Sequence, residues 1–202
     1  LWWYELMETI QNRSAINFNY EKQNFDFILK NHKQKLSTYN NLRKIFLKLR
    51  TDKQIELLET ITGTKERKNY SKICLNQEEV KVLDNHPLIT IGSHSHNHLN
   101  FKILNNNEIQ YEVNKSLEIL EDLLNHKIKH FCYPYGGKKQ VSVREYNIIE
   151  KLNLSSAVTS RIYPIKYYNP FSLPRVYVGK NICDKALMNH LSGFYNLVNK
   201  FL

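Results

Sequence analysis

The sequence lacks several features that would assign a protein to a class directly. Its three cysteines, Cys74, Cys132 and Cys183, are far apart and form no C-x-x-C pair, so neither a disulfide framework nor a cysteine zinc knuckle is predicted. No apolar run approaches the roughly 18 to 20 residues that a membrane-spanning helix needs. Internal repeats, low-complexity tracts and flexible linkers are also missing. With 42% hydrophobic and 24% charged residues, the composition excludes intrinsic disorder and predicts a globular fold.

The sequence is basic, with 29 Lys and Arg against 19 Asp and Glu and a formal charge of +10. A clustered positive charge would indicate a nucleic acid or an acidic polymer as the partner. Here the lysines are spread along most of the chain, and no nucleic-acid-binding motif accompanies them. We therefore predict solvated basic faces and no nucleic-acid partner, with a polyanion-binding domain kept as an alternative.

The predicted elements change character near residue 85. Upstream, apolar spacing predicts helices over residues 2–11, 35–49, 52–60 and 77–83. The helix at 35–49 has the spacing of a buried stripe, formed by Leu42, Ile45, Phe46 and Leu49. Downstream, predicted strands at 88–91, 129–133, 156–159 and 173–178 alternate with helices at 108–124, 142–152 and 184–201. Residues 105–107 are possible caps of the first of these helices, and Ser142-x-x-Glu145 fits a capping box for the second. This alternation predicts βαβ units around a parallel sheet, whose functional residues gather at the carboxyl ends of the strands.

Three histidines, His94, His96 and His98, lie within five residues directly after the first predicted strand. Neutral imidazole is a common ligand of zinc and similar divalent metals. In an extended segment alternate side chains share one side, whereas in a turn residues four apart converge. The cluster therefore predicts a divalent metal site, with zinc as the expected ion.

The segment Ile91-Gly92-Ser93-His94-Ser95-His96-Asn97-His98 resembles the H-[S/T]-x-x-H motif of the polysaccharide deacetylases (carbohydrate esterase family 4, the NodB-type homology domain). The resemblance implies that His94 and His98 bind the metal and that Ser95 supports the loop. His96 would line the substrate site without binding the metal. It also implies an α/β fold of the incomplete or distorted (β/α) barrel type.

A second segment, Phe131-Cys132-Tyr133-Pro134-Tyr135-Gly136, is similar to the third motif of the same family. By this resemblance the backbone N–H of Tyr135 donates to the oxyanion of the reaction. The Tyr135 ring would form a wall of the sugar site, and Tyr133 and Pro134 are assigned with it to substrate binding.

The match departs from the family pattern at the first motif, because the sequence contains no Asp-Asp pair to supply the catalytic base and the third metal ligand. The chain begins Leu-Trp-Trp-Tyr without an initiating Met, and residues 1–10 read as a helix with an apolar face. We expect that an upstream part carrying the missing motif precedes Leu1; a degenerate, inactive relative is the alternative. On this view residues 1–202 form a single deacetylase-like domain, with 1–75 a mainly helical insertion and 85–180 the barrel core.

Two further catalytic residues follow from the resemblance. Tyr133 stands where the family has an arginine that orients the base, and Arg175, in Leu173-Pro174-Arg175, is the candidate to take over that role. Leu187-Met188-Asn189-His190 matches the letters of the fifth motif, which makes His190 a candidate general acid. Its setting in a predicted amphipathic helix differs from the family pattern.

The predicted function is that of a metal-dependent hydrolase that removes N-acetyl groups from the amino sugars of a polysaccharide or oligosaccharide. The expected partner is an N-acetylated carbohydrate. Because catalytic zinc usually has three protein ligands, two histidines alone predict weak metal binding and little turnover. A non-catalytic carbohydrate-binding relative of the deacetylases is the other interpretation that the same motifs permit.

Overall fold

The computed structural model describes residues 1–162, 169–176, 178–179 and 183–192, with the backbone alone at 190 and 191. The chain divides into two compact units, Leu1–Asn76 and Gln77–Leu202. No helix within these described ranges is long and apolar enough to cross a membrane.

The first unit combines three helices with one β-hairpin. Its elements are α1 (Trp2–Asn12), β1 (Ala15–Tyr20), β2 (Gln23–Ile28), α2 (His32–Phe46) and α3 (Thr51–Thr62). The three helices lie within a few residues of their predicted bounds. The hairpin was not predicted, because its turn residues Glu21 and Lys22 adopt φ values of 49° and 65°. Hairpin turns of this kind favour Asn and Gly, so a Glu-Lys pair carries no sequence signal for them.

The core of the first unit lies where the helices meet the hairpin. Alternate residues of β1 face inward, and the predicted stripe of α2 is buried at Leu42 and Phe46. Trp2 stacks on Phe46, with ring centroids 4.3 Å apart and planes 9° from parallel. The remaining fully or nearly fully buried members are Leu6, Ile10, Ile16, Leu29, Leu57, Leu58 and Ile61.

The second unit has the mixed helix and strand order that the sequence predicted. Its elements are α4 (Gln77–Asp84), α5 (Asn106–Leu124), β3 (His130–Cys132), α6 (Val143–Ile149), β4 (Ser156–Val158) and α7 (Asp184–Leu191). Strands β3 and β4 pair in parallel. Single parallel bridges join Ser93 to Phe131 and Val158 to Leu173. Four chain segments thus run side by side in parallel. The part of the chain that the structure describes shows no closed barrel, and the barrel stays a prediction.

The helices α5 and α6 begin at the predicted caps. Asn105 and Glu108 form a reciprocal capping box at α5, and Ser142 and Glu145 form another at α6. Both helices pack on the sheet through apolar side chains. The fully buried members of this second core are Phe101, Ile109, Val113, Phe131, Tyr133, Val141, Ile149 and Ala157.

Two predicted strands are not observed as such. The buried strand at 88–91 is wrong: Leu88 is 88% exposed, and the N–H of Ile89 donates to the carbonyl of His86 in a turn. A short apolar run has no periodicity that separates a strand from a turn. Of the strand predicted at 173–178, only Leu173 forms a bridge, and residue 177 lies outside the described residues. The last helix is observed over Asp184–Leu191, and residues 193–202 are likewise outside.

Candidate active site

The histidine segment leaves the sheet at Ser93. The Ser93 N–H donates to the carbonyl of His130, and its carbonyl accepts from the N–H of Cys132, both at 2.8 Å. Gly92 lies so close to β3 that an added Cβ would stand 3.0 Å from the His130 oxygen. His94 therefore emerges directly at the carboxyl end of a parallel pairing, where α/β sheets place functional residues.

A tight turn brings His94 and His98 together. Their ring centroids are 4.8 Å apart and their planes are inclined by 71°. Ser95 and His98 both adopt left-handed backbone conformations, with φ of 68° and 55°, and the Ser95 hydroxyl accepts a hydrogen bond from the His98 N–H at 3.1 Å. Residues other than glycine adopt this conformation at some energetic cost, so the surrounding contacts must define the turn.

The tautomer of His94 follows from its hydrogen bond. Nδ1 lies 2.6 Å from the carbonyl oxygen of Cys132. Because a carbonyl only accepts, Nδ1 is the protonated nitrogen, and the lone pair of the neutral ring resides on Nε2. Such a second bond commonly orients a metal-binding imidazole.

Both imidazoles are held in their neutral form at neutral pH. Burial lowers the pKa of His94; the hydrogen bond to Cys132 opposes this effect, and the charge of Arg175 adds to it. Burial and the neighbouring His94 lower the pKa of His98 to about 4. The neutral form is the one that binds metal.

The second motif lies beside this pair. The ring of Tyr135 meets the His98 imidazole edge-on, with centroids 4.8 Å apart. Tyr135 has a φ of 62°, and the Gly136 N–H donates to the Pro134 carbonyl at 2.7 Å, which closes a three-residue turn of a rare and strained kind. The Ser160 hydroxyl donates to the Tyr135 carbonyl at 2.8 Å and stabilises this turn.

Tyr133 and Pro134 support the turn from within the core. The Tyr133 side chain is fully buried, and its hydroxyl donates to the carbonyl of Phe171 at 2.8 Å. Burial, followed by the nearby Tyr146 and Glu145, raises the pKa of this hydroxyl. Pro134 is buried as well. The sequence assigned both to substrate binding; in the structure Tyr133 packs in the core, so of these three residues the half-buried Tyr135 is the one that solvent reaches appreciably.

The other site residues predicted from the sequence are placed differently. Arg175 donates from Nε to the Thr159 carbonyl at 2.8 Å, and it is near enough to His94 to lower the pKa of that ring. His96 is exposed, and its ring meets Tyr111 of α5 edge-on at 6.5 Å. The side chain of His190 is outside the described residues, and its role as general acid stays a prediction.

The described residues supply two of the ligands that a divalent metal would need. His94 and His98 are neutral and adjacent, but no group of three or more His, Cys, Asp or Glu that could hold a metal occurs in the described part of the chain. Asp84 is hydrogen-bonded to His126, and the four other aspartates are also distributed among helices and the hairpin: Asp26, Asp52, Asp122 and Asp184. Among the described residues, no third His, Cys, Asp or Glu side chain joins the two histidines.

Two residues near the site were not found from the sequence. Glu112 is a buried carboxylate of α5 that binds the histidine segment, and Ser160 binds the Tyr135 turn. Glu112 occupies a core-facing position between Ile109 and Val113. A carboxylate at such a position is the signal that could have identified it.

A family model places the chain among known proteins. The polysaccharide deacetylase model matches residues 28–155, which is more than half of the 202 residues. The chain therefore belongs to the polysaccharide deacetylase family, and the resemblance inferred from the two motifs is confirmed. No curated protein matches the sequence.

Two solved structures are similar to this chain. The deacetylase PplD of Streptococcus pyogenes, solved in complex with acetate, has a TM-score of 0.52 and 19% identity, over 58% of this chain and 50% of that one. A polysaccharide deacetylase from Bacillus cereus has a TM-score of 0.49 and 18% identity, over 58% of this chain and 36% of that one. The first similarity shows a shared fold, and the chain spans about half the length of that enzyme.

Proposed function

We propose that this protein is a deacetylase that uses a divalent metal, with zinc as the expected ion, to hydrolyse N-acetyl groups on the amino sugars of a polysaccharide or oligosaccharide. The observation that carries the proposal is the convergence of His94, His98 and Tyr135 at the carboxyl end of a parallel sheet. Family membership supports hydrolysis of an amide, and acetate, which is bound in the Streptococcus pyogenes enzyme, is the product expected of this reaction.

His94 and His98 would hold the metal through neutral imidazoles. The Cys132 carbonyl fixes the ring of His94, and the Ser95 hydroxyl fixes the backbone of His98. A divalent ion bound there supplies Lewis-acid polarisation of the acetyl carbonyl and a lower pKa for water. The third ligand and the catalytic base are expected from an aspartate pair that the described residues do not contain.

The Tyr135 turn would serve the developing oxyanion. By the family motif its backbone N–H is the donor, and such a donor contributes about 3 to 4 kcal/mol of transition-state stabilisation when it is preorganised. The hydrogen bonds at Gly136 and Ser160 fix the backbone on which this donor lies. The Tyr135 ring, beside His98, would form a wall for the sugar.

Arg175 and His190 complete the proposed machinery. The charge of Arg175 acts on His94, which supports the proposal that it orients a carboxylate base near the metal. His190, as general acid, would protonate the leaving amine. His96, at the edge of the segment, is proposed to contact the sugar.

The proposal is tested by acetate release from N-acetylated oligosaccharides. Because two histidine ligands without the aspartate pair predict little turnover, we expect slow release that stops with a chelator, returns with added zinc, and is lost in His94→Ala. His126→Ala is the matched control, because that histidine pairs with Asp84 through an exposed contact. Oligosaccharide binding without any zinc-dependent acetate release would instead support the non-catalytic carbohydrate-binding alternative. Release that persists in His94→Ala at the rate of the unmodified protein would contradict the proposal.

A further inference from the structure

Helix α5 carries a buried carboxylate that is directed at the histidine segment. Glu112 is 4% exposed. Its Oε2 accepts from the backbone N–H of Asn97 and its Oε1 accepts from Asn97 Nδ2, each at 2.7 Å. The backbone carbonyl of the same glutamate accepts from the His96 N–H at 3.0 Å. One residue of the helix therefore makes three hydrogen bonds to the segment between the two proposed ligands.

A second contact lies one helical turn further along α5. The Ser116 hydroxyl donates to the Val113 carbonyl at 2.8 Å, so the Ser93 hydroxyl is the donor in the 2.5 Å bond between the two serines. Ser93 and Asn97 are the residues directly before His94 and His98. Residues four apart in the segment are thus bound to residues four apart on one face of the helix.

The Glu112 carboxylate accepts hydrogen bonds from the N–H groups of one residue, Asn97. Among the described residues it forms no salt bridge, and both of its oxygens are bound to Asn97. A buried carboxylate carries a desolvation penalty that an apolar residue at the same position would avoid. The hydrogen bonds of its carboxylate, moreover, all lead to the histidine segment.

We infer that Glu112 is a positioning residue, which holds the segment in the turn where the His94 and His98 rings converge. The consequence for metal binding rests on the proposed function; the consequence for the segment itself does not. Residues that orient metal ligands typically change metal affinity by about 10- to 100-fold when they are replaced. Glu112 binds the backbone between the two proposed ligands. Its removal is therefore expected to displace both imidazole rings and to weaken metal binding.

The side-chain pair permits a reciprocal exchange. In Glu112→Met both acceptors for the N–H groups of Asn97 are removed and the clamp is lost. In Glu112→Gln alone, a half-turn of the Asn97 amide presents its oxygen to the new amide nitrogen, so two hydrogen bonds still form. In Asn97→Asp two carboxylates oppose each other. When Glu112→Gln is combined with Asn97→Asp, the glutamine amide can donate to the new carboxylate while its oxygen still accepts the N–H of residue 97. We expect this double variant to recover most of what Asn97→Asp loses.

The experiment uses the full 202-residue chain and two readouts. Hydrogen exchange measures protection of the amides of residues 96 and 97, and competition with a chromophoric chelator measures zinc affinity. We expect Glu112→Met, which keeps the side-chain length but removes both acceptors, to lose protection at both amides and to bind zinc at least about tenfold more weakly. Glu118→Gln, an exposed glutamate of α5 paired with Lys115, should match the unmodified protein in both. Glu145→Gln, a fully buried carboxylate of α6, should lower global stability without changing zinc affinity.

The outcomes separate the two proposals. Unchanged protection of residues 96 and 97 in Glu112→Met overturns the positioning role. Zinc affinity that falls equally in Glu112→Met and Glu145→Gln also overturns it, because the effect would then be one of general stability. Zinc binding that His94→Ala leaves unaltered overturns the proposed metal site instead. Local loss of protection confined to Glu112→Met and Asn97→Asp, with recovery when Glu112→Gln is added to Asn97→Asp, supports positioning whichever result zinc gives.

Discussion

The ring of Tyr135 lies edge-on against the imidazole of His98, with centroids 4.8 Å apart and planes inclined by 73°. This contact joins two sequence motifs that are separated by a helix and a strand. It also covers part of the half-buried His98 ring. Burial and the neighbouring His94 lower the pKa of this ring to about 4.

Removing the Tyr135 ring should raise the pKa of His98. In Tyr135→Ala water reaches the imidazole, so the charged form is penalised less and the pKa moves up toward the ordinary value of about 6.5. The measurement is an NMR titration of the His98 Cε1–H signal in metal-free protein. Tyr111→Ala is the control, because that ring meets His96 instead. An unchanged His98 titration in Tyr135→Ala would show that other groups desolvate the ring.

Replacing Gly136 should destabilise the fold more than replacing Gly63. Both glycines have positive φ, 54° and 77°. A Cβ at Gly136 would stand 2.6 Å from the Ser160 nitrogen, whereas a Cβ at Gly63 would meet nothing within 4 Å. Gly63→Ala should therefore lose only the backbone term of about 1 to 2 kcal/mol. Gly136→Ala should lose that amount plus a steric term, so its urea midpoint should be lower; equal midpoints would contradict the described turn.

The carboxyl of Glu145 should make stability depend on pH in the acid range. Burial would raise its pKa, but hydrogen bonds from Lys102, from Ser142 and from Arg144 outweigh this and lower it. A lowered pKa in the folded state means that the stabilisation is present above the ordinary carboxyl pKa and is lost as the pH falls through the folded value.

Urea unfolding between pH 6 and pH 3 measures this effect. The free energy of unfolding of the unmodified protein should fall with acid, and the fall should be shallower in Glu145→Gln. The matched control is Glu118→Gln, whose partner Lys115 is on the surface. If the free energy of unfolding falls equally with acid in the unmodified protein and in Glu145→Gln, this carboxyl does not cause the acid dependence.

The parts of the fold that the sequence predicted are those with a local physical signal. The Asn105 and Ser142 caps mark where α5 and α6 begin, because a side chain there must meet the first free N–H groups. The spacing of the three histidines left two arrangements open, and the resemblance to the family motif singled out His94 and His98, whose rings converge. The hairpin at Glu21-Lys22 and the exposed Leu88 were not predicted, since their conformations depend on tertiary contacts that their residue types do not encode.

The site shows the same division. Ser160 and Glu112 act through hydrogen bonds to backbone atoms of distant residues, and no spacing along the chain connects them with their targets. Tyr133 was predicted to bind the sugar because it lies in a motif, yet its fully buried side chain packs in the core beneath the Tyr135 turn. A motif identifies the segment, whereas burial decides which of its side chains face outward.

The positions of Glu112 and Ser116 in the middle part of α5 have a consequence for how this protein tolerates insertions. One extra residue between Asn105 and Glu112 turns every later side chain by about 100° around the helix axis, and the grip on the histidine segment is lost. An extra residue after Ser116 leaves that grip untouched. Length changes among relatives should therefore accumulate toward the end of this helix and spare its beginning.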